Sequence, residues 1–217
     1  MEERSRPRGR LVVSAPLLFG RMHVAPLLTR LLAAHPDLSA ELVLSDRYVN
    51  LVEEGVDVAV RIGMLPDSGL IVRRVGETRR VLVASPSYLA ARGGAPEHPS
   101  ELGRYEQVSF APLFGTGEWR FTGVDGAEIR VVVAPRFMTN SGDAAIGHVL
   151  ADGGITPTLS YQVAEYLQSG RLVQVLAAYA AGPSPIQVVY PGGRLVAGKV
   201  RAFLEAAEAM GRAWVFA

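Results

Sequence analysis

The stretch Gly9–Pro36, GRLVVSAPLLFGRMHVAPLLTRLLAAHP, limits what this chain can fold into more than any other. Leu11, Val12 and Val13 form a short apolar run, the pattern of a strand buried on both faces of a parallel sheet. Ser14, Ala15 and Pro16 break it. Val24, Leu27, Leu28, Leu31 and Leu32 then recur at i, i+3, i+4, i+7 and i+8, which gives a helix one apolar face. Pro26 fits an early helical turn, and His35-Pro36 ends the helix, because the residue before proline leaves the α region. The loop Ser14–Leu17 therefore sits at the carboxyl end of a strand and the amino end of a helix. In open α/β sheets ligands bind there, and unpaired N–H groups with a positive dipole end favour an anion. An ordinary βα turn that holds nothing fits the same residues.

Further strands are expected at Glu41–Ser45 and Val56–Ile62, with a short helix over 49–54 ended by Gly55. This alternation predicts a parallel, doubly wound sheet. Leu70–Ser85 reads as one extended region with a turn at Gly76, and a second lobe begins after it. There the Asp125-Gly126 dipeptide between β-prone runs signals a hairpin. Asn140 or Ser141 can cap a helix from Asp143 to Ala151, and Ser160 can cap one running to Gln168. A last helix, 197–210, turns Val200, Phe203, Leu204 and Ala207 inward. The chain leaves the first lobe near Ser85 and returns near Ile186, so the expected division is a linker over 1–9, lobe I over 10–85 plus 186–217, and lobe II over 86–185.

Composition excludes several classes. With 217 residues, 22 basic and 21 acidic side chains, the net charge is +1, too even for a dedicated nucleic-acid surface. Arg4, Arg6, Arg8 and Arg10 form the one local excess, read as a solvated linker remnant. No cysteine is present, which removes disulfides, thiolate chemistry and cysteine metal sites. No stretch reads as a membrane span or a signal peptide, so a cytoplasmic protein with no membrane partner is expected. His23, His35, His98 and His148 lack metal-ligand spacing, and neither a nucleophile elbow nor a phosphate-binding loop occurs; no enzyme, metal or cofactor is expected. Polar groups instead gather at element ends: Ser14, Asp46, Arg47, Arg61, Asn140, Ser141, Thr156 and Thr158. Two helix N-termini plus an arginine suit a carboxylate. An ion pair for Arg61 and a plain cap for Ser141 are the local alternatives.

Five blocks, GRLVVSAPLLFGRMHVAPLLTRLLAAHPDL, ELVLSDRYVNLVEEGVDVAVRIG, RRVLVASPSYLAARG, WRFTGVDG and GGITPTLSYQVAEYLQSGRLVQVL, resemble in order the effector-binding domain of LysR-type transcriptional regulators, the second block the CrgA-like subgroup. The resemblance implies a periplasmic-binding-protein-like fold of type 2: two Rossmann-like lobes joined by two crossover segments, with a small effector in the cleft. It implies a homodimer or tetramer, in which the helix from Gly20 to His35 meets a partner subunit. It implies promoter binding only through an N-terminal winged helix-turn-helix that these residues do not include. Carried over by position, the effector contacts are Ser14, Ala15, Pro16 and Leu17, then Arg47, Arg61 and Ile62, then Asn140, Ser141 and Gly142, and Thr156. Asn140-Ser141-Gly142 stands where Asn-Asp-Gly is frequent, and Gly-Ile-Thr-Pro-Thr-Leu where Gly-Ile-Ala-Leu-Leu-Pro is, so effector identity does not carry over. A free solute-binding receptor of the same fold and, more remotely, an enzyme on it are the rival readings.

Overall fold

The computed structural model describes residues 6–47, 50–65, 69–110, 117–192, 196–211 and 213–216. The chain divides into two units. Unit 1 runs to Glu77 and resumes over Ser184–Val215; unit 2 is Thr78–Pro183 with the residues after Val215. By this division the chain first crosses at Thr78, where a crossing near Ser85 was expected, and returns at Ser184, near the expected Ile186. Pairing gives the reason: Arg80–Ala84 (β5) is the central strand of unit 2's sheet, antiparallel to two strands from much later in the chain.

Unit 1 is built on a five-stranded sheet of order β2-β1-β3-β12-β4. Its strands are β1 (Gly9–Ala15), β2 (Leu38–Leu44), β3 (Val58–Ile62), β4 (Leu70–Thr78) and β12 (Ser184–Pro191). β1 pairs in parallel with β2, Gly9 opposite Leu38 and Ala15 opposite Leu44, and in parallel with β3. β12 runs antiparallel to β3, so the sheet is mixed rather than all parallel. Leu11 and Val13 have no solvent exposure, as a central strand requires. Residues 51–55 form turns where a short helix over 49–54 was expected; residues 48 and 49 lie outside the described residues. β4 runs straight through Gly76, where a turn was expected. That glycine serves close approach: a Cβ would stand 2.4 Å from the Trp214 carbonyl oxygen and 2.8 Å from its Cβ.

Helix α1 spans Leu17–Ala34 and is π-helical over Gly20–Val24. A Cβ on Gly20 would come within 2.2 Å of a Leu44 methyl carbon, so the glycine lets the helix lie close on β1 and β2. By length and composition α1 could cross a membrane, contrary to the sequence expectation that no stretch could. It is a core helix: Leu18, Phe19, Val24, Leu27, Leu28 and Leu31 are buried in unit 1. The last helix, Gly198–Ala209, buries Val200, Phe203, Leu204 and Ala207 against α1 and β1. The sole lysine, Lys199, ties it down: Nζ donates to Asp57 Oδ2 and to the Arg10 carbonyl, both at 2.6 Å. Asp57 Oδ2 also accepts the Val12 N–H at 2.8 Å.

Unit 2 has a three-stranded antiparallel sheet, β10-β5-β11, with β10 at Thr156–Leu159 and β11 at Val173–Val175. A parallel pair joins β6 (Val108–Phe110) to β9 (Phe137–Thr139). A hairpin joins β7 (Glu118–Thr122) to β8 (Glu128–Val132), with Gly126 at φ 82° in its turn, as its Asp-Gly signal predicts. One core gathers Leu82, Tyr88, Leu102, Trp119, Ile155 and Leu176. Ser160 does not cap the helix Ser160–Gln168. Its Oγ accepts the Arg79 N–H at 3.1 Å and donates to the Phe216 carbonyl at 2.9 Å, while Gln162 Oε1 takes the Leu159 N–H at 3.1 Å.

Candidate functional site

The expected effector residues divide between the units. In unit 1, Ser14 is the penultimate residue of β1 and Arg61 lies in β3; both are buried, because neighbouring strands cover each side of them. The structure brings these two together. Arg61 Nη2 donates to Ser14 Oγ at 3.2 Å, and Nη1 donates to the Val60 carbonyl at 3.1 Å. A guanidinium at 7% exposure, fixed by a hydroxyl and a carbonyl, is a preorganised donor. Ala15 is buried, Pro16 and Ile62 are half-buried, and Leu17 and Arg47 are exposed.

The anion at the amino end of α1 already has an internal occupant. Asp46 Oδ1 accepts the Leu17 N–H at 3.1 Å. The sequence reading placed Asp46 at a strand end without giving it this role. A carboxylate at a helix start is the arrangement that the dipole favours, and β2 delivers it there because β1 and β2 are in register up to Ala15 and Leu44. The Pro16 carbonyl likewise serves the helix, accepting the Gly20 N–H at 2.7 Å.

In unit 2, Asn140 is exposed, and Ser141 caps the helix Gly142–Leu150 by accepting the Ala144 N–H at 3.3 Å. Thr156 is fully buried and donates to the Val108 carbonyl at 3.0 Å, which joins β10 to β6. Both hydroxyls thus have structural work, the local alternative weighed for Ser141. Among the described residues no three His, Cys, Asp or Glu side chains gather as a metal would need.

One feature escaped the sequence reading. Unit 2 holds a cavity of about 140 Å³ beneath the hairpin, lined by Arg80, Leu82, Trp119, Phe121, Gln174 and Tyr179 among others. The alternation in Glu118–Thr122, with Trp119 buried, Phe121 half-buried and Arg120 and Thr122 exposed, was the available signal.

Comparison with known proteins follows the same lines. The LysR substrate binding domain family matches residues 4–212. An HTH-type transcriptional regulator of Xanthomonas campestris pv. campestris is 34% identical over 204 residues, covering 93% of this chain and 59% of that protein. The solved structure of the regulatory domain of CrgA, a LysR-type transcriptional regulator from Neisseria meningitidis, is similar at a TM-score of 0.81 and 29% identity, over 94% of this chain and 98% of that one. The full-length structure of the Vibrio cholerae virulence activator AphB gives 0.83 and 28%, over 96% and 71%. The two α/β units thus have the periplasmic-binding-protein-like fold of type 2. The chain belongs to the LysR substrate-binding domain family, whose named members are transcriptional regulators rather than enzymes. It spans less than two thirds of the length of the first curated relatives that it matches.

Proposed function

We propose that this chain is the effector-sensing part of a cytoplasmic, homo-oligomeric transcriptional regulator, and that it recognises a small anion. The observation that carries the reading is the buried Arg61 guanidinium, held by Ser14 at the carboxyl end of β1. Arg61 supplies the charge. Ser14, Ala15, Pro16, Leu17, Arg47 and Ile62 of unit 1 and Asn140, Ser141, Gly142 and Thr156 of unit 2 are the positions that the resemblance assigns to the effector. A ligand bridging both units would change their geometry only by binding one arrangement more tightly than another. Operator contact belongs to the part of the relatives beyond the matched region, the part for which they are named HTH-type.

A thermal-shift screen of small carboxylates tests this. A ligand of the folded state raises the melting temperature. The expected result is a hit whose shift is lost in Arg61→Ala and reduced in Ser14→Ala. A hit indifferent to Arg61→Ala would move the site elsewhere, and a broad panel without hits would remove the anion.

A further inference from the structure

We infer that the cavity beneath the β7–β8 hairpin of unit 2 is a second ligand site, for a compact amphipathic monoanion: a body of about one ring carrying one carboxylate. Among the described residues the cavity is walled by unit 2 alone, and none of those expected to hold an effector lines it. The inference is independent of the reading proposed for Arg61.

Three observations converge. The first is size. The cavity measures about 140 Å³, and an apolar cavity of roughly 150 Å³ takes a benzene molecule. Leu82, Trp119, Phe121, Leu176 and Tyr179 supply the apolar walls. The second is a polar atom with nothing to bond among the described residues. Trp119 is 4% exposed, and its buried Nε1–H has no hydrogen-bond partner among them. Burying a donor unpaired is costly, and most such donors in folded proteins find an acceptor. An acceptor oxygen on a ligand in this cavity would remove that cost, so the site selects a ligand with an acceptor rather than a pure hydrocarbon. The third is charge. Arg80 and Arg120 line the cavity with one acid, Glu118. Arg120 is engaged by Glu118 and Glu128 on the hairpin surface. Arg80, the exposed first residue of β5, brings to the wall a guanidinium that can meet a carboxylate in a charge-assisted hydrogen bond, and partial burial lowers its pKa from the ordinary arginine value. Gln174 adds a polar side chain at the wall.

Benzoate is the probe, with benzyl alcohol as its neutral counterpart, titrated to millimolar concentration and followed by thermal shift and by tryptophan fluorescence. The chain has two tryptophans, Trp119 and Trp214. In Trp214→Phe the remaining signal therefore reports the cavity wall directly. Benzoate should perturb Trp119 emission and bind more tightly than benzyl alcohol. Affinity should fall roughly tenfold in Trp119→Phe, which loses the hydrogen bond to a charged acceptor. Ala181→Phe, which fills the cavity from its rim, should abolish binding, and Arg61→Ala should leave it unchanged. The inference is overturned by no benzoate binding, by equal affinity for the alcohol, or by binding that survives Ala181→Phe. Binding lost in Arg61→Ala and kept in Ala181→Phe would also overturn it, while supporting the effector site of unit 1. Should Trp119→Phe not fold, Ala181→Phe decides alone.

Discussion

Two titratable side chains give the molecule opposite ends of its acid response. His23 lies in the π-helical turn of α1 against Phe19 and Trp214, and burial pushes its pKa below the ordinary 6.5. A histidine with a lowered native pKa binds fewer protons folded than unfolded near that value. Stability is therefore full above pH 6.5 and falls as the pH drops below it. In His23→Asn the decline of melting temperature between about pH 6.5 and 5 should flatten; a slope equal to the wild type would exclude His23 as its source. Asp152 is the counterpart in unit 2. The hydroxyls of Ser85 and Ser87 donate to its carboxylate and hold its pKa below the ordinary 3.8. The stability it gives is present above that value and lost as the pH falls through the native pKa, so Asp152→Asn should lower the plateau of a pH–stability profile above that value and flatten its most acidic limb. Ser141→Ala removes the cap of the helix Gly142–Leu150 and should cost about 1 kcal/mol in urea unfolding.

At the scale of elements, close approach decides more than conformational preference. Gly76→Ala drives a methyl into the Trp214 backbone, which cannot swing aside, and should destabilise unit 1 by about 1–3 kcal/mol. Gly20→Ala meets the tip of Leu44, a side chain with other rotamers, and should cost less by urea unfolding. Gly76 also marks where sequence reading stops. A glycine inside an apolar run suggests a turn, and only the chain returning at Trp214 shows that it serves contact. The strand–loop–helix of Gly9–Ala34 was legible because its signals are local: an apolar run, a break, and a 3.6-residue period. The crossing at Thr78 was not, because Leu70–Ala84 reads as one extended segment and strand pattern does not name a strand's partners. Ser14 and Arg61 were legible as polar residues in apolar strands. Their hydrogen bond depends on register, and the Asp46 carboxylate on Leu17 depends on a strand pairing. The cavity under the hairpin needed the packing of a hairpin on a sheet, which no local pattern encodes.

At the scale of the whole molecule, each unit has one tryptophan in its interior, Trp214 in unit 1 and Trp119 in unit 2. Chains of two units commonly depart from two-state unfolding. Trp119→Phe and Trp214→Phe, followed by the remaining indole, should give urea transitions at different midpoints; superimposable curves would show that the units unfold as one. The lone lysine has another use. Twenty-one of the 22 basic side chains are arginine, and the single amine side chain is a quarter exposed, holding the last helix to the first strand and to Asp57. An acylating reagent selective for amines therefore has one side-chain target in the chain, and that amine is hydrogen-bonded to Asp57 and to the Arg10 carbonyl while the helix is docked. Its covalent capture, read as a single mass increment at residue 199, becomes a clock for the lifting of that helix, with no probe introduced and no other side chain to confuse the count.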